Sequence, residues 1–418
     1  MNIYLILICT LLLLDFLLEV GAALLNLRAL QAEVPEEFAD CYSKAEYSRM
    51  RQYTYERTRF GLVRDSFLLV LTLAFLLTGG FNQVDLLARS PGLGPIYTGL
   101  LFTGALVFLV ALIQLPFNVY STFVLETRFG FNTTTVRTFI ADQFRGALLA
   151  IVLGAPILAA ILWFFEMSGP MAWFYAWLSA SGFMLVVQLL APVLILPLFN
   201  RFTPLPDNEL RQAIYAYAQR QHFALEGIYT MDGSKRSTRA NAFFTGFGRF
   251  RRIVFFDTLL TQLSPEEIVA VLAHEMGHYK LKHVPLMLIL GILQTGLMLF
   301  ILSFFLGNNG LFAAFQMEHI SVYAALIFFG FLYTPIATLL AIAINALSRR
   351  HEYQADRFVV ASGASADALI GGLKSLTVKN LGNLTPHPLS VILHYSHPPM
   401  LARIRALRHL ETQQKAAA

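Results

Sequence analysis

Seven stretches of this chain, near residues 3–25, 60–79, 97–117, 146–166, 172–198, 284–307 and 320–347, are long and apolar. Each meets the requirement of about 20 residues for a helix to cross the ~30 Å hydrocarbon core of a bilayer. Only 14% of the 418 residues are charged, against about 25% in soluble domains, so no soluble globule of this size could cover its surface. In lipid, backbone N–H and C=O groups must bond within the segment, and each stretch is therefore expected to be a helix. The first lacks a basic start and a small-residue cleavage site, and it carries Asp15 and Glu19; it reads as a retained span rather than a signal peptide. Those two acids lie at i and i+4 and need an aqueous interior or polar neighbours on the packed side of the helix.

The loops predict the orientation. The connection after the first span holds Arg28, Lys44, Arg49, Arg51, Arg57 and Arg59, the next only Arg89, and the third Arg128, Arg137 and Arg145. Basic residues alternate between sides, which places the N-terminus outside and residues 199–283 and 348–418 in the cytosol. The net charge of +5 is assigned to this membrane-facing surface and not to nucleic acid binding. Two cysteines, Cys9 and Cys41, support neither a disulfide framework nor a cysteine metal site.

Chemistry enters at Val271-Leu-Ala-His-Glu-Met-Gly-His278. On a helix, His274 and His278 at i and i+4 leave one face together and can share a metal ion, while Glu275 stands close enough to act as a base. Ser264-Pro265-Glu266-Glu267 supplies a cap, a proline at the first helical position and a glutamate at the third, so a helix is expected to start there. Two neutral nitrogens with a base and an open position describe a catalytic zinc site, one ion per chain.

Such a site needs a third ligand. His283 lies five residues beyond His278 without the intervening glycine of the six-residue metzincin spacing, so it is set aside. Past the seventh span, Ser348-Arg-Arg-His-Glu-Tyr-Gln-Ala-Asp356 puts Glu352 and Asp356 on one helical face. Glu352 is assigned as the ligand, and Asp356 as the acceptor that orients a ligating imidazole through its other ring N–H. His351 falls on another face and reads as surface; Arg349 and Arg350 read as lipid-headgroup contacts.

HEMGH at 274–278 with Glu352-x-x-x-Asp356 and seven spans resembles the type I CAAX prenyl protease family of integral-membrane zinc metallopeptidases. Glu126-Thr-Arg-Phe-Gly-Phe-Asn132, Asp232-Gly-Ser-Lys-Arg-Ser237, Asn241-Ala-Phe-Phe-Thr-Gly-Phe-Gly248 and Ser396-His-Pro-Pro399 with Arg403-Ile404 resemble its other motifs, in order, over nearly the whole chain. Phe243 departs from the pattern, standing where a tyrosine is often found. The resemblance implies that Asn241 hydrogen-bonds the substrate backbone, that His397 stabilises the tetrahedral oxyanion, and that Arg403 supports His397. Residues 242–248 read as an edge strand on which a peptide could lie. From the residues alone, Asn241 is equally a turn residue and His397 equally a surface residue before Pro-Pro.

The combined reading is mainly α: a polytopic membrane protein with seven transmembrane helices and a cytosolic gluzincin-like zinc peptidase domain that includes a small β element. Residues 1–198 hold spans one to five, 199–283 the HExxH segment, 284–347 spans six and seven, and 348–418 the third ligand. The resemblance implies removal of the last three residues after a prenylated cysteine. A bacterial quality-control protease acting on unprenylated membrane proteins is the alternative, and a non-enzymatic zinc-containing scaffold or transporter the more distant one. Expected partners are the lipid bilayer and a membrane-associated peptide or prenylated protein, with no nucleic acid. The expected location is the cytoplasmic membrane of a bacterium or the endoplasmic reticulum membrane of a eukaryote.

Overall fold

All seven apolar stretches are helical in the structure, a computed structural model that describes residues 2–245 and 251–417. The helices Ile3–Arg28, Lys44–Leu77, Pro95–Glu126, Val136–Met167, Gly169–Phe199, His283–Ser303 and Val322–Ala361 are each long and apolar enough to cross a membrane. Four extend well past the expected ends, the second and the seventh by the most. The second begins at Lys44 behind a capping box, in which Ser43 and Glu46 exchange backbone and side-chain hydrogen bonds. The seventh runs 40 residues, about 60 Å at 1.5 Å per residue, or twice the hydrocarbon thickness. Nothing stops it at 347, because residues 348–361 contain neither glycine nor proline. It ends before Gly363, whose φ of +74° suits the left-handed turn that closes a helix.

These overhanging turns help to build a second body at one end of the bundle. Its core joins Phe38, Tyr47 and Met50 from the first connection with Phe255, Leu272, Met276, Val359, Ile404 and Leu407. The first connection, read in sequence only as a basic loop, thus shares a hydrophobic core with the HExxH helix. Tyr42, Tyr47 and Tyr53 are all buried, and aromatic burial of this kind dominates core energetics.

The β element is a four-stranded sheet of β1 (Phe202–Pro204), β2 (Gly227–Met231), β3 (Ala242–Thr245) and β4 (Arg252–Phe256), in the order β1-β2-β4-β3. β2 and β4 run parallel; β1 and β3 pair antiparallel with their neighbours. Ala242 sits opposite Phe255 and Thr245 opposite Arg252, which leaves β3 at the edge. The expected strand 242–248 is therefore strand over 242–245, and its remainder lies outside the described residues.

Hydrogen bonds fasten this body to the spans. Arg236 holds Asp142 through two bonds of 2.6 and 2.8 Å and also donates to the Phe199 carbonyl and the Asn200 side chain. Such bidentate pairs fix geometry as well as charge. Thr133 Oγ1 donates to the Ser234 carbonyl, and Asn132 bridges Ser237, so the motif segments around 126–132 and 232–237 meet. In the first span, Glu19 lies 3.1 Å from His394 Nε2, a polar neighbour supplied by the C-terminal segment.

Candidate active site

The HExxH segment lies on the helix Pro265–Lys280, started as expected by Ser264 and Glu267 in a reciprocal capping box. This helix crosses the extended seventh-span helix at Gly277. A Cβ on that glycine would stand 3.0 Å from the Cα of Ala355, so the absence of a side chain is what lets the two backbones come this close. The crossing brings residues about 80 positions apart together. His274 Nε2 and His278 Nε2 are 3.1 Å apart, and Glu352 oxygens lie 3.4 and 3.3 Å from them.

Bonds of about 2.1 Å at tetrahedral angles separate zinc donors by about 3.4 Å, so this triangle fits such an ion. The hydrogen-bond network strengthens the fit. His274 Nδ1 is 2.9 Å from Asp356 Oδ1; the carboxylate can only accept, which assigns the proton to Nδ1 and leaves Nε2 as a lone pair. His283 Nε2 lies 3.0 Å from Gln354 Oε1, and His283 Nδ1 lies 3.1 Å from His278 Nδ1. If His283 donates to the glutamine, its Nδ1 must accept from His278, and His278 Nε2 also becomes a lone pair. Two lone pairs and a carboxylate oxygen then face one point, an arrangement that repels unless a cation fills it. Glu352 Oε2 is moreover buried and, among the described residues, makes no well-aligned hydrogen bond, although it stands within ion-pair distance of Arg403.

Arg403, only 4% exposed, lies beneath these carboxylates. Its Nε and Nη2 donate to Asp356 at 2.9 and 2.6 Å, and Nη1 is 3.1 Å from Glu352 Oε2. The sequence reading set it to support His397. Its guanidinium instead reaches the two acids, because the final helix, Met400–Ala417, packs it inward. Burial works against a proton on His274, but the hydrogen bonds to Asp356 and Glu352 outweigh it and raise the pKa to about 9. A cation at Nε2 would have to displace that proton. Burial also lifts the Glu275 carboxyl above its usual range, and the adjacent imidazoles pull it back only in part.

Asn241 stands exposed at the start of β3. Its carbonyl accepts from Phe256 N–H, and its Oδ1 accepts from Ala242 N–H at 2.9 Å, which leaves the Nδ2 amide to donate outward. His397 is 66% exposed, with Nε2 3.3 Å from Glu352 Oε1 and Nδ1 3.0 Å from Ser396 Oγ. It therefore borders the donor triangle on the open side.

Two sequence expectations fail here. His351 is buried at 5% exposure and stacks on His283, with centroids 4.0 Å apart and planes 6° from parallel. Arg349 does not reach for headgroups: its Nη1 donates to the Val391 and Tyr395 carbonyls at 3.0 and 2.7 Å. Asn345 does the same for Leu393 at 2.9 Å. The signal was available, because 345, 349, 352 and 356 form one helical stripe, and that stripe holds both the carboxylates and the segment leading to His397.

Comparisons with known proteins agree over most of the chain. Residues 23–201 match the family described as CAAX prenyl protease N-terminal, five membrane helices, and residues 204–411 match Peptidase family M48. The CAAX prenyl protease 1 homolog of Arabidopsis thaliana is 36% identical over 401 residues, covering 92% of this chain and 93% of that protein. CAAX prenyl protease 1 of Saccharomyces cerevisiae is 32% identical, covering 92% and 90%. The crystal structure of S. mikatae Ste24p superposes with a TM-score of 0.92 at 30% identity, over 97% of this chain and 99% of that one. The chain belongs to the type I CAAX prenyl protease family, the membrane metallopeptidases of peptidase family M48.

Proposed function

We propose that this metallopeptidase uses zinc held by His274, His278 and Glu352 to cut membrane-delivered peptides, and that it removes the last three residues after a prenylated cysteine. The substrate reading rests on the CAAX prenyl protease relatives. The observation that carries the metal reading is the convergence of two imidazole nitrogens and a carboxylate, 3.1–3.4 Å apart, on one point. Three protein ligands with an open fourth position suit catalysis, and this neutral-nitrogen and oxygen set suits zinc.

Bound there, zinc supplies Lewis acidity toward the scissile carbonyl and the attacking water. Glu275 takes the proton of that water and passes it to the leaving nitrogen; its raised pKa suits both halves of the transfer. Asn241 Nδ2 donates to the peptide backbone, which runs along the free edge of β3 as an added strand. His397 donates toward the developing oxyanion from the open side of the site, a contribution typically worth a few kcal/mol. Asp356 and Arg403 hold the ligands in place. The alternating basic loops support an outside N-terminus and a catalytic end facing the cytosol.

The test is metal content and cleavage of a farnesylated CAAX peptide by detergent-purified wild type and Glu275→Gln. One zinc per chain in both proteins, with cleavage by the wild type alone, is the expected result. Zinc with cleavage only of unprenylated membrane peptides would move the substrate to the quality-control class. Absence of zinc in both, or equal cleavage by both, would overturn the assignment of metal or base.

A further inference from the structure

A polar cavity of about 490 Å³ opens beside the two segments proposed to meet the peptide. Arg239, two residues before Asn241, lines one wall, and Tyr395, two residues before His397, lines another; Arg57 of the second-span helix lies between the loops, with Asn26, Asn380 and Asn383. Among the described residues no carboxylate lines it and no ion pair engages Arg57. Arg239 is held rigidly: Nη2 donates to Glu126 at 2.9 Å and to the Tyr53 hydroxyl, and the guanidinium lies over the Phe131 ring at 4.3 Å. Its Nε is nevertheless a buried donor without a partner among the described residues. Buried donors left unmade are costly, and such atoms call for a ligand.

We propose that this cavity is the subsite for the free C-terminal carboxylate of the substrate, with Arg57 and Arg239 as its recognition groups. The inference rests on the peptidase reading above and deepens it. A peptide added antiparallel to β3 sends its C-terminus toward the start of that strand, which is where Asn241 and then Arg239 stand. Three residues beyond the scissile bond span about 10 Å in extended form, and Cα atoms two residues apart are at most about 7 Å apart. A terminus three residues past the cut therefore falls within reach of a guanidinium next to Asn241. The planar fork of arginine matches a carboxylate, and the volume is that of an ordinary small-ligand site.

The test compares two peptides of identical sequence, one ending in a free acid and one in an amide, on full-length protein in uncharged detergent. Wild type, Arg57→Gln and Arg57→Lys are assayed for KM and kcat, and both peptides are titrated onto Glu275→Gln to read binding without turnover. The wild type is expected to favour the acid about tenfold or more, through KM and binding. The ratio should fall toward one in Arg57→Gln and recover in part in Arg57→Lys. Equal use of acid and amide by the wild type, or a preference that survives in Arg57→Gln, overturns the subsite and leaves the peptidase reading standing. A wild type that cleaves neither peptide, with neither bound by Glu275→Gln, overturns both.

Discussion

A Cβ on Gly277 would stand 3.0 Å from the Cα of Ala355 and 3.2 Å from the Cβ of Phe358. The HExxH helix and the helix that carries Glu352 thus meet at a contact between backbones that has no room for one more carbon. Replacing glycine by alanine within a helix ordinarily gains up to about 1 kcal/mol. Overpacking against a backbone that cannot swing aside costs about 1–3 kcal/mol, so the steric effect wins. Gly277→Ala should lower the thermal midpoint and weaken metal binding, and Gly277→Val should do so more strongly. A Gly277→Ala protein with raised stability and full metal affinity would show that the crossing is loose.

Arg403 is the only arginine or lysine in direct contact with the buried pair Glu352 and Asp356 among the described residues. Truncation in Arg403→Leu removes the bidentate partner of buried Asp356 and one of the charges facing Glu352, a change of the kind that costs about 3–5 kcal/mol. Arg403→Lys keeps the charge but loses the fork, and it should recover only part of the loss. Denaturant unfolding in a fixed detergent measures both; an unchanged midpoint for Arg403→Leu would contradict this account.

With His283 donating to Gln354, the chain Gln354–His283–His278 fixes the tautomer of one proposed ligand from behind, as Asp356 fixes that of the other. Loss of such outer partners typically weakens metal binding about 10–100-fold. His283→Ala and Asp356→Asn should each fall in this range by chelator competition. Adding Gln354→Ala to His283→Ala should have little further effect, because the two act in series. Full additivity of those two substitutions would break the proposed relay.

Arg349 anchors the segment that leads to His397. Its bonds to the Val391 and Tyr395 carbonyls lay down the segment on which His397 stands, without touching the donor triangle. Arg349→Ala should keep one metal per chain and lose about 10–100-fold in kcat, the scale of a misplaced catalytic group. Loss of metal in that variant would point to collapse of the seventh-span helix instead.

The sequence by itself determined whatever depends on local spacing. Seven apolar runs specify helices because lipid leaves the backbone no other partner, and Ser264 with Glu267 marks a helix start through bonds made within one turn. The i, i+4 pairs His274/His278 and Glu352/Asp356 likewise share faces wherever those helices go. Tertiary structure decided what lies between the pairs. Only the crossing at Gly277 brings Glu352 to the histidines, and only the inward packing of the final helix turns Arg403, expected to support His397, onto two acids. The same packing buries His351, expected at the surface, against His283. Long-range packing also takes Arg349 away from lipid and sets the first connection into the hydrophobic core it shares with the HExxH helix. Periodicity states which face a residue occupies, but the neighbour on that face is set by long-range packing, on which local spacing carries no information.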